Sequence, residues 1–162
     1  MSSVRMNDVA VAALGRDLCP VDLSPGLRAL VAEGIVVHGE HVLFARYADL
    51  VVPERYRDDP IGWECDVNSF HLEDVVPVHV EVTDCVPHVG EAEQVVLLRQ
   101  GFTFAVEIAR LADEVSLPVR CIVSVNDTNG TFRFHRHRPG AGWTSDDLDG
   151  YADSKVIVVE QD

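Results

Sequence analysis

A β-hairpin predicted over residues 119–138 constrains the fold of this chain more than any other stretch. Residues 119–125 are rich in β-branched side chains, and residues 126–130 read Asn-Asp-Thr-Asn-Gly, a cluster typical of turns. Phe132 and Phe134 then follow at the two-residue spacing of a strand with one buried face. Further along this strand both faces become polar, so we expect its end to be exposed and to present arginine and histidine side chains.

A long amphipathic helix is predicted before the hairpin, over residues 91–115. Apolar side chains recur there at helical spacing, with a polar stripe on the opposite side. Gly101 interrupts the pattern, since glycine in a helix interior costs about 1 kcal/mol relative to alanine. Either the helix begins after this glycine, or a strand passes close to it.

The remaining elements are shorter, and residues 1–20 favour neither helix nor strand. Ser24 and Pro25 predict the start of a short helix, because serine caps well and proline fits the first turn. Short strands are predicted over residues 35–37, 42–47, 75–82 and 155–159. Helices and strands do not alternate regularly, so we expect a single α+β domain, residues 1–162, with a mainly antiparallel sheet.

Two loops carry aromatic and charged side chains. Residues 53–62 form a charged segment bounded by prolines. If residues 63–72 after it are extended, Trp63, Cys65, Val67 and Ser69 share one face. Residues 139–143 are rich in glycine and end in a tryptophan, and Thr144 or Ser145 can then cap a short acidic helical turn.

The charge is strongly acidic, with 27 Asp and Glu against 13 Lys and Arg and a formal net charge of −14. Such a field disfavours nucleic acid as a partner and can steer a basic protein, although acidic proteomes also produce surfaces like this one.

We find neither an apolar run of the ~20 residues that a membrane span needs nor a signal-peptide core, so we expect a cytoplasmic protein without a membrane partner. Four widely spaced cysteines are then expected to be free, small and buried.

His135 and His137 form an H-x-H pair on the second hairpin strand, a spacing that can present two imidazoles to one metal ion. A third ligand is hard to supply, because strand parity places Cys121 on the opposite face for a two-residue or a four-residue turn. Arginines that alternate with the histidines would also repel a cation. We therefore predict exposed histidines and neither a metal nor another cofactor.

The arginines beside these histidines, Arg133, Arg136 and Arg138, can bind a carboxylate or a phosphate, since guanidinium groups match such anions. We favour instead their pairing with the chain's own carboxylates, such as Asp146, Asp147 and Asp149. The motifs of common nucleophiles, zinc proteases and phosphate-binding loops are not found, so we predict no catalytic residue.

Several short motifs in the second half of the chain match those of a known family. The resemblance covers roughly residues 60–160 and rests on three segments: Gln100 to Ala105, Pro118 to Ile122, and Thr131 to His135 running into Arg138-Pro139-Gly140 and Trp143. Trp63-Glu64 and residues 69–74 fit the same pattern. The sequence is most similar to actinobacterial immunity factors of the tuberculosis-necrotizing-toxin type, which bind and occlude a toxin that hydrolyses NAD. The resemblance implies a single-domain, cytoplasmic, non-enzymatic inhibitor, and we expect this protein to be a monomer when free.

We therefore expect a protein that binds a cognate toxin domain. Tight binding needs aromatic and arginine anchors within a charged rim, and the two loops described above have that composition. The predicted partner-binding residues are Arg57, Asp58, Asp59, Trp63, Arg136, His137, Arg138 and Trp143. The alternative is a small metal- or anion-binding domain that uses the His135, His137 and arginine cluster.

Overall fold

Nine strands and four α-helices make up the fold, in a computed structural model that describes residues 2–161. The strands are β1 (Ser2–Met6), β2 (Ile35–His38), β3 (His41–Phe44), β4 (Phe70–His71), β5 (Val80–Thr83), β6 (Val86–Val89), β7 (Val119–Val125), β8 (Gly130–Arg136) and β9 (Lys155–Gln161). The helices are α1 (Asp8–Leu14), α2 (Pro25–Glu33), α3 (Pro60–Val67) and α4 (Glu91–Glu114). The central sheet has the order β1-β9-β7-β8-β4 and is antiparallel throughout, with β2–β3 and β5–β6 as separate pairs. The predicted α+β class, with one long helix in a single domain, is confirmed.

Helix α4 lies across one face of the central sheet, as its apolar stripe predicts. Gly101 stays inside this helix, and a β-carbon at that position would lie 2.7 Å from Cγ1 of Val123 on β7. The second of the two predicted explanations is therefore the right one. Glycine lets helix and strand approach closely here, which offsets its low helix propensity.

The core lies between α4 and the sheet and is built around aromatic rings. Phe104 of α4 meets Phe132 of β8 edge to face at 4.7 Å, and Phe44 of β3 meets Phe134 in the same way at 4.9 Å. The other face of the sheet carries a smaller apolar cluster that includes Ile122 and Leu148.

The predicted hairpin is confirmed, and Cys121 and His135 lie on opposite faces of the sheet as predicted. Its second strand is shorter than predicted. A four-residue loop, residues 126–129, joins β7 to β8, and Cys121 lies opposite Phe134 on the core face. Arg120 and His135 are opposite each other on the other face. The strand ends at Arg136 rather than at Arg138.

Residues 53–72 differ most from the sequence prediction. Residues 60–67 form helix α3, and a 3₁₀ turn, Glu54–Tyr56, precedes it. Asp59 caps this helix by accepting a hydrogen bond from the Gly62 amide at 2.9 Å, and Pro60 occupies its first turn. An extended conformation, which the sequence leaves open for residues 63–72, is thus excluded for most of that segment, because a cap followed by proline starts a helix.

Smaller corrections concern the termini of elements and one missed hairpin. The segment predicted as a strand over residues 75–82 contributes only β5, which turns back on β6 through a two-residue loop. The acidic turn near the C-terminus is capped by Asp147, not by Thr144 or Ser145.

Cys65 and Cys121 are buried as predicted, whereas Cys19 and Cys85 are exposed. Across residues 2–161, no helix is long and apolar enough to cross a membrane.

Candidate partner-binding site

Glu64 of helix α3 is fully buried and is the centre of a polar cluster between α3, β3 and the end of β8. Its Oε1 accepts hydrogen bonds from His41 Nδ1 and from Arg138 Nη2, each at 3.0 Å. Its Oε2 accepts from the Arg136 backbone amide at 2.8 Å and from Arg138 Nη1 at 2.9 Å. Four donors occupy the carboxylate, which therefore keeps no free lone pair for a general base. We call Glu64 and its partners His41, Arg136 and Arg138 the clamp, because they hold α3, β3 and β8 together.

Asn68, one helical turn after Glu64, completes the same connection. Its amide nitrogen donates to the carbonyl groups of Val42 at 2.9 Å and of Phe134 at 3.2 Å, and its oxygen accepts from the Phe44 amide at 3.0 Å. Because β4 pairs with only two residues of β8, backbone groups of β8 beyond it need other partners. Glu64 and Asn68 supply those partners and join β3 to the sheet edge.

The outer side of this clamp is an exposed surface that we call the 50–66 surface. Its apolar part includes Leu50, which is 42% exposed, and Val51, which is 83% exposed. Hollows of about 290 and 230 Å³ lie on it, and both are lined by Pro53 and Tyr56. Its exposed charged residues are Glu54, Arg55, Arg57, Asp58, Asp59 and Asp66. An apolar centre within a charged rim is the arrangement found in protein interfaces.

Buried side chains and a hydrogen bond fix the position of the 50–66 surface. The Trp63 ring is buried and meets the His41 ring edge to face at 4.7 Å, and His41 in turn donates to Glu64. The Tyr56 hydroxyl donates to the Asp66 carboxylate, which ties the 3₁₀ turn to helix α3. Rigid support of this kind lowers the entropy lost when a partner binds.

The predicted partner-binding residues of the first loop have different roles. Arg57 and Asp58 are exposed, and Arg57 pairs with Glu54. Asp59 is exposed but also caps α3. Trp63 is only 2% exposed, so its prediction as a surface anchor is wrong: its helix turns the indole into the core.

Two residues of the second predicted group, Arg136 and Arg138, are joined to helix α3 through Glu64. Arg136 and Arg138 both donate to the Glu40 carbonyl, at 3.1 and 3.3 Å, and Arg138 also binds Glu64. The expected pairing of these arginines with a carboxylate of the chain is therefore confirmed for Arg138, although that carboxylate is Glu64 and not one of Asp146, Asp147 and Asp149. His137 is half-buried, with its Nδ1 at the Gln161 carbonyl.

Trp143 lies apart from the clamp, on the loop that covers the other sheet face. Its ring is 45% exposed, and the Arg133 guanidinium lies over it at 5.0 Å from the ring centre. Of the second group of predicted residues, this tryptophan is the most exposed, and it is not part of the 50–66 surface.

The predicted exposure of His135 is also wrong, since its side chain is completely buried. Its Nδ1 donates to the Arg136 carbonyl at 2.7 Å, which leaves Nε2 as an acceptor without a partner among the described residues. Burial lowers the pKa of His135 below its ordinary value. Within residues 2–161 no three side chains of metal-ligating type come together.

Burial also changes the pKa of two thiols, those of Cys65 and Cys121. Burial raises the pKa of Cys65 to about 12, and it raises the pKa of Cys121 as well. Since the thiolate is the reactive form, neither thiol is suited to act as a nucleophile at neutral pH.

The sequence pattern did not predict the hydrogen-bonding roles of Glu64, Asn68 and His41. It also did not predict the exposure of Leu50 and Val51. A signal for Glu64 and Asn68 exists, because Asp59-Pro60 is a cap followed by a first-turn proline and residues 64 and 68 are then one turn apart on one helix.

Comparison with known proteins places the chain in a family. A family model described as "Uncharacterized protein PM0498 family" matches residues 6–162. A search of curated proteins and a search of solved structures each found no match.

Proposed function

We propose that this chain, which belongs to the PM0498 family, is a cytoplasmic immunity protein that binds a cognate toxin domain and occludes its active site. The observation that carries the proposal is the 50–66 surface, whose most exposed aliphatic side chain, Val51, lies beside hollows within a charged rim. Exposed aliphatic groups on a rigid support are suited to anchor a partner protein.

The charge of the surface favours a basic partner. Four of its side chains are carboxylates and two are guanidinium groups, in a protein whose formal net charge is −14. A toxin whose active-site cleft is rimmed by lysine and arginine would be complementary to it. The sequence resemblance to immunity factors of the tuberculosis-necrotizing-toxin type supports the same proposal and makes an NAD-hydrolysing toxin domain the first partner to test.

The clamp beneath the surface supports an inhibitor rather than a catalyst. Glu64, the buried carboxylate of the region, is occupied by four donors that hold α3 and β3 to the sheet edge. A stoichiometric inhibitor needs such a rigid support but no free acid or base, so we propose that the protein neutralises its partner by contact alone.

The test is toxin protection in cells. The chain is co-expressed with the toxin domain encoded beside it or, where none is encoded, with an NAD-hydrolysing toxin domain, and growth and NAD content are measured. Wild type should protect, and the double variant Leu50→Asp/Val51→Asp should not, because charges would replace the apolar centre. Val82→Asp, at an aliphatic residue 68% exposed on strand β5, is the matched control and should protect.

Circular dichroism of each variant checks that the fold is retained. Failure of wild type to protect against either toxin would contradict the proposed function. Full protection by the folded double variant would instead show that the interface lies elsewhere on the protein.

A further inference from the structure

A polar cavity lies on the sheet face opposite helix α4, beneath the glycine-rich loop that follows β8. Its volume is about 400 Å³, and it is lined by Arg120 and by loop residues 140–142 and 144–146. Arg120 is on this face because it alternates along β7 with Cys121, which is in the core. The cavity is thus separate from the 50–66 surface and from the proposed function.

Arg120 contributes donors that the fold does not use. Its side chain is only 11% exposed, and its Nε donates to Glu160 Oε2 at 2.6 Å. Neither Nη atom makes a hydrogen bond within residues 2–161. A guanidinium fork with free donors matches an oxyanion in shape and charge.

The charge at the base of the cavity is also unbalanced. Arg5 donates to the same carboxylate as Arg120, through Nε to Glu160 Oε1 at 3.2 Å, so two guanidinium groups share one anion. Burial opposes the ionisation of Glu160, but the two arginines outweigh it and lower its pKa below the ordinary value. Asp146, an exposed residue that also lines the cavity, partly offsets the remaining positive charge.

Thr144 and Gly142 complete the arrangement. The Thr144 hydroxyl oxygen is buried and has no hydrogen-bond partner among the described residues. A β-carbon on Gly142 would lie 2.2 Å from Arg120 Nη1, so any larger residue there would displace the guanidinium group from its position at the loop. The φ angle of Gly142 is outside the left-handed range, so the backbone conformation does not require glycine here.

We propose that this cavity binds the oxyanion of a small molecule, a phosphate or a carboxylate group. The Nη atoms of Arg120 hold two of its oxygen atoms and the Thr144 hydroxyl donates a further hydrogen bond. The loop at residues 140–142 forms the wall against which the anion rests.

The experiment titrates inorganic phosphate and, separately, acetate into the protein at constant ionic strength. Calorimetry measures binding and thermal denaturation measures Tm, with chloride as the control anion. Saturable binding and a rising Tm are expected for at least one of the two anions, and which of them binds more tightly identifies the preferred group. Asp146→Asn should tighten binding, because it removes the opposing carboxylate.

Two variants test the named contacts. Thr144→Val should weaken binding about tenfold, as expected for one hydrogen bond to a charged group. It should not lower the Tm of the unliganded protein, because a methyl replaces a hydroxyl that has no partner. Gly142→Ala should weaken binding, because its methyl group would displace the Arg120 guanidinium group, whereas Gly150→Ala, where a β-carbon meets nothing within 4 Å, should bind as wild type does.

The opposite results would overturn the proposal. These are no saturable binding of either anion by wild type, equal binding by the two glycine variants, or a lower Tm of unliganded Thr144→Val. The last result would show that the hydroxyl has a structural partner in the folded protein.

Discussion

At the scale of single residues, Glu64 is the side chain on which the local structure depends most. Its side chain is completely buried, and that of Arg138 is only 20% exposed. Neutralising Glu64 would leave the Arg138 guanidinium group without its carboxylate partner. Glu64→Gln should therefore reduce the free energy of unfolding by about 3–5 kcal/mol, the loss typical when one partner of a buried ion pair is removed. Urea denaturation measures it. Glu33→Gln, which breaks the exposed pair with Arg46, is the control and should change stability little, and similar losses in both variants would contradict the clamp.

His135 predicts how stability depends on pH. Burial lowers its pKa below the ordinary value of 6.5, so the unfolded chain takes up a proton before the folded one does. The free energy of unfolding should therefore fall as pH decreases from about 6.5, because protonation favours the unfolded state. Glu64, which favours the proton, and Arg120 and Arg138, which oppose it, are the charges that act on this imidazole.

The check is urea denaturation across pH 5 to 7, a range above the ordinary pKa of 4.5 for carboxylates such as Glu160. His135→Gln should flatten the slope, because the titrating group is gone. His79→Gln, at a histidine whose side chain is 76% exposed, should keep it. An unchanged slope in His135→Gln would assign the pH dependence to other groups.

At the scale of elements, the contact of α4 with β7 depends on Gly101. Gly101→Ala would place a β-carbon 2.7 Å from Val123 Cγ1 and 3.1 Å from Leu72 Cδ1. Overpacking of this kind costs about 1–3 kcal/mol, which exceeds the gain of about 1 kcal/mol in helix propensity. We expect the variant to unfold at lower urea. Gly101→Ala/Val123→Ala should lose less than the sum of the two single changes, and simple additivity would argue against a direct clash.

The β5–β6 hairpin offers a stabilising change. Its two-residue loop holds Asp84 at φ 51° and Cys85 at φ 65°, in the left-handed region that glycine and asparagine adopt most easily. Asp84→Asn/Cys85→Gly should therefore stabilise the hairpin by about 1 kcal/mol. Amide hydrogen exchange of β5 and β6 should slow, while exchange in β7, a central strand, stays the same. Faster exchange in the hairpin would contradict this reading of the turn.

The elements also show what the sequence could and could not predict. Periodicity was sufficient for α4 and for the β7–β8 hairpin, because each has one apolar face over many residues. Helix α3 was missed because it is short and buries residues on more than one side, Trp63, Glu64 and Cys65 in a row, so its pattern resembles a buried strand. The polar clamp could not be predicted, since it joins Glu64 to residues far along the chain and periodicity carries no information about such contacts.

At the scale of the whole molecule, the formal charge of −14 bears on how fast a basic partner arrives. If the proposed toxin complex forms, its association rate constant should fall by about tenfold or more when ionic strength rises from about 0.01 to 0.15 M, because the Debye length shortens from about 30 to 8 Å. Stopped-flow or surface-plasmon measurements give the rate constant. Dissociation should change much less, because it depends on the apolar centre at Leu50 and Val51.

A charge variant separates steering by the whole protein from contacts within the interface. Glu107→Gln/Glu114→Gln lies on α4, outside the 50–66 surface, and removes one half-buried and one exposed charge that pair with Arg110. Steering by the overall field predicts a modest decrease in the association rate constant with no change in dissociation. Asp58→Asn/Asp59→Asn removes equal charge within the surface and should slow association more. Equal effects of both pairs would mean that net charge alone recruits the partner, and a rate constant independent of salt would exclude electrostatic steering altogether.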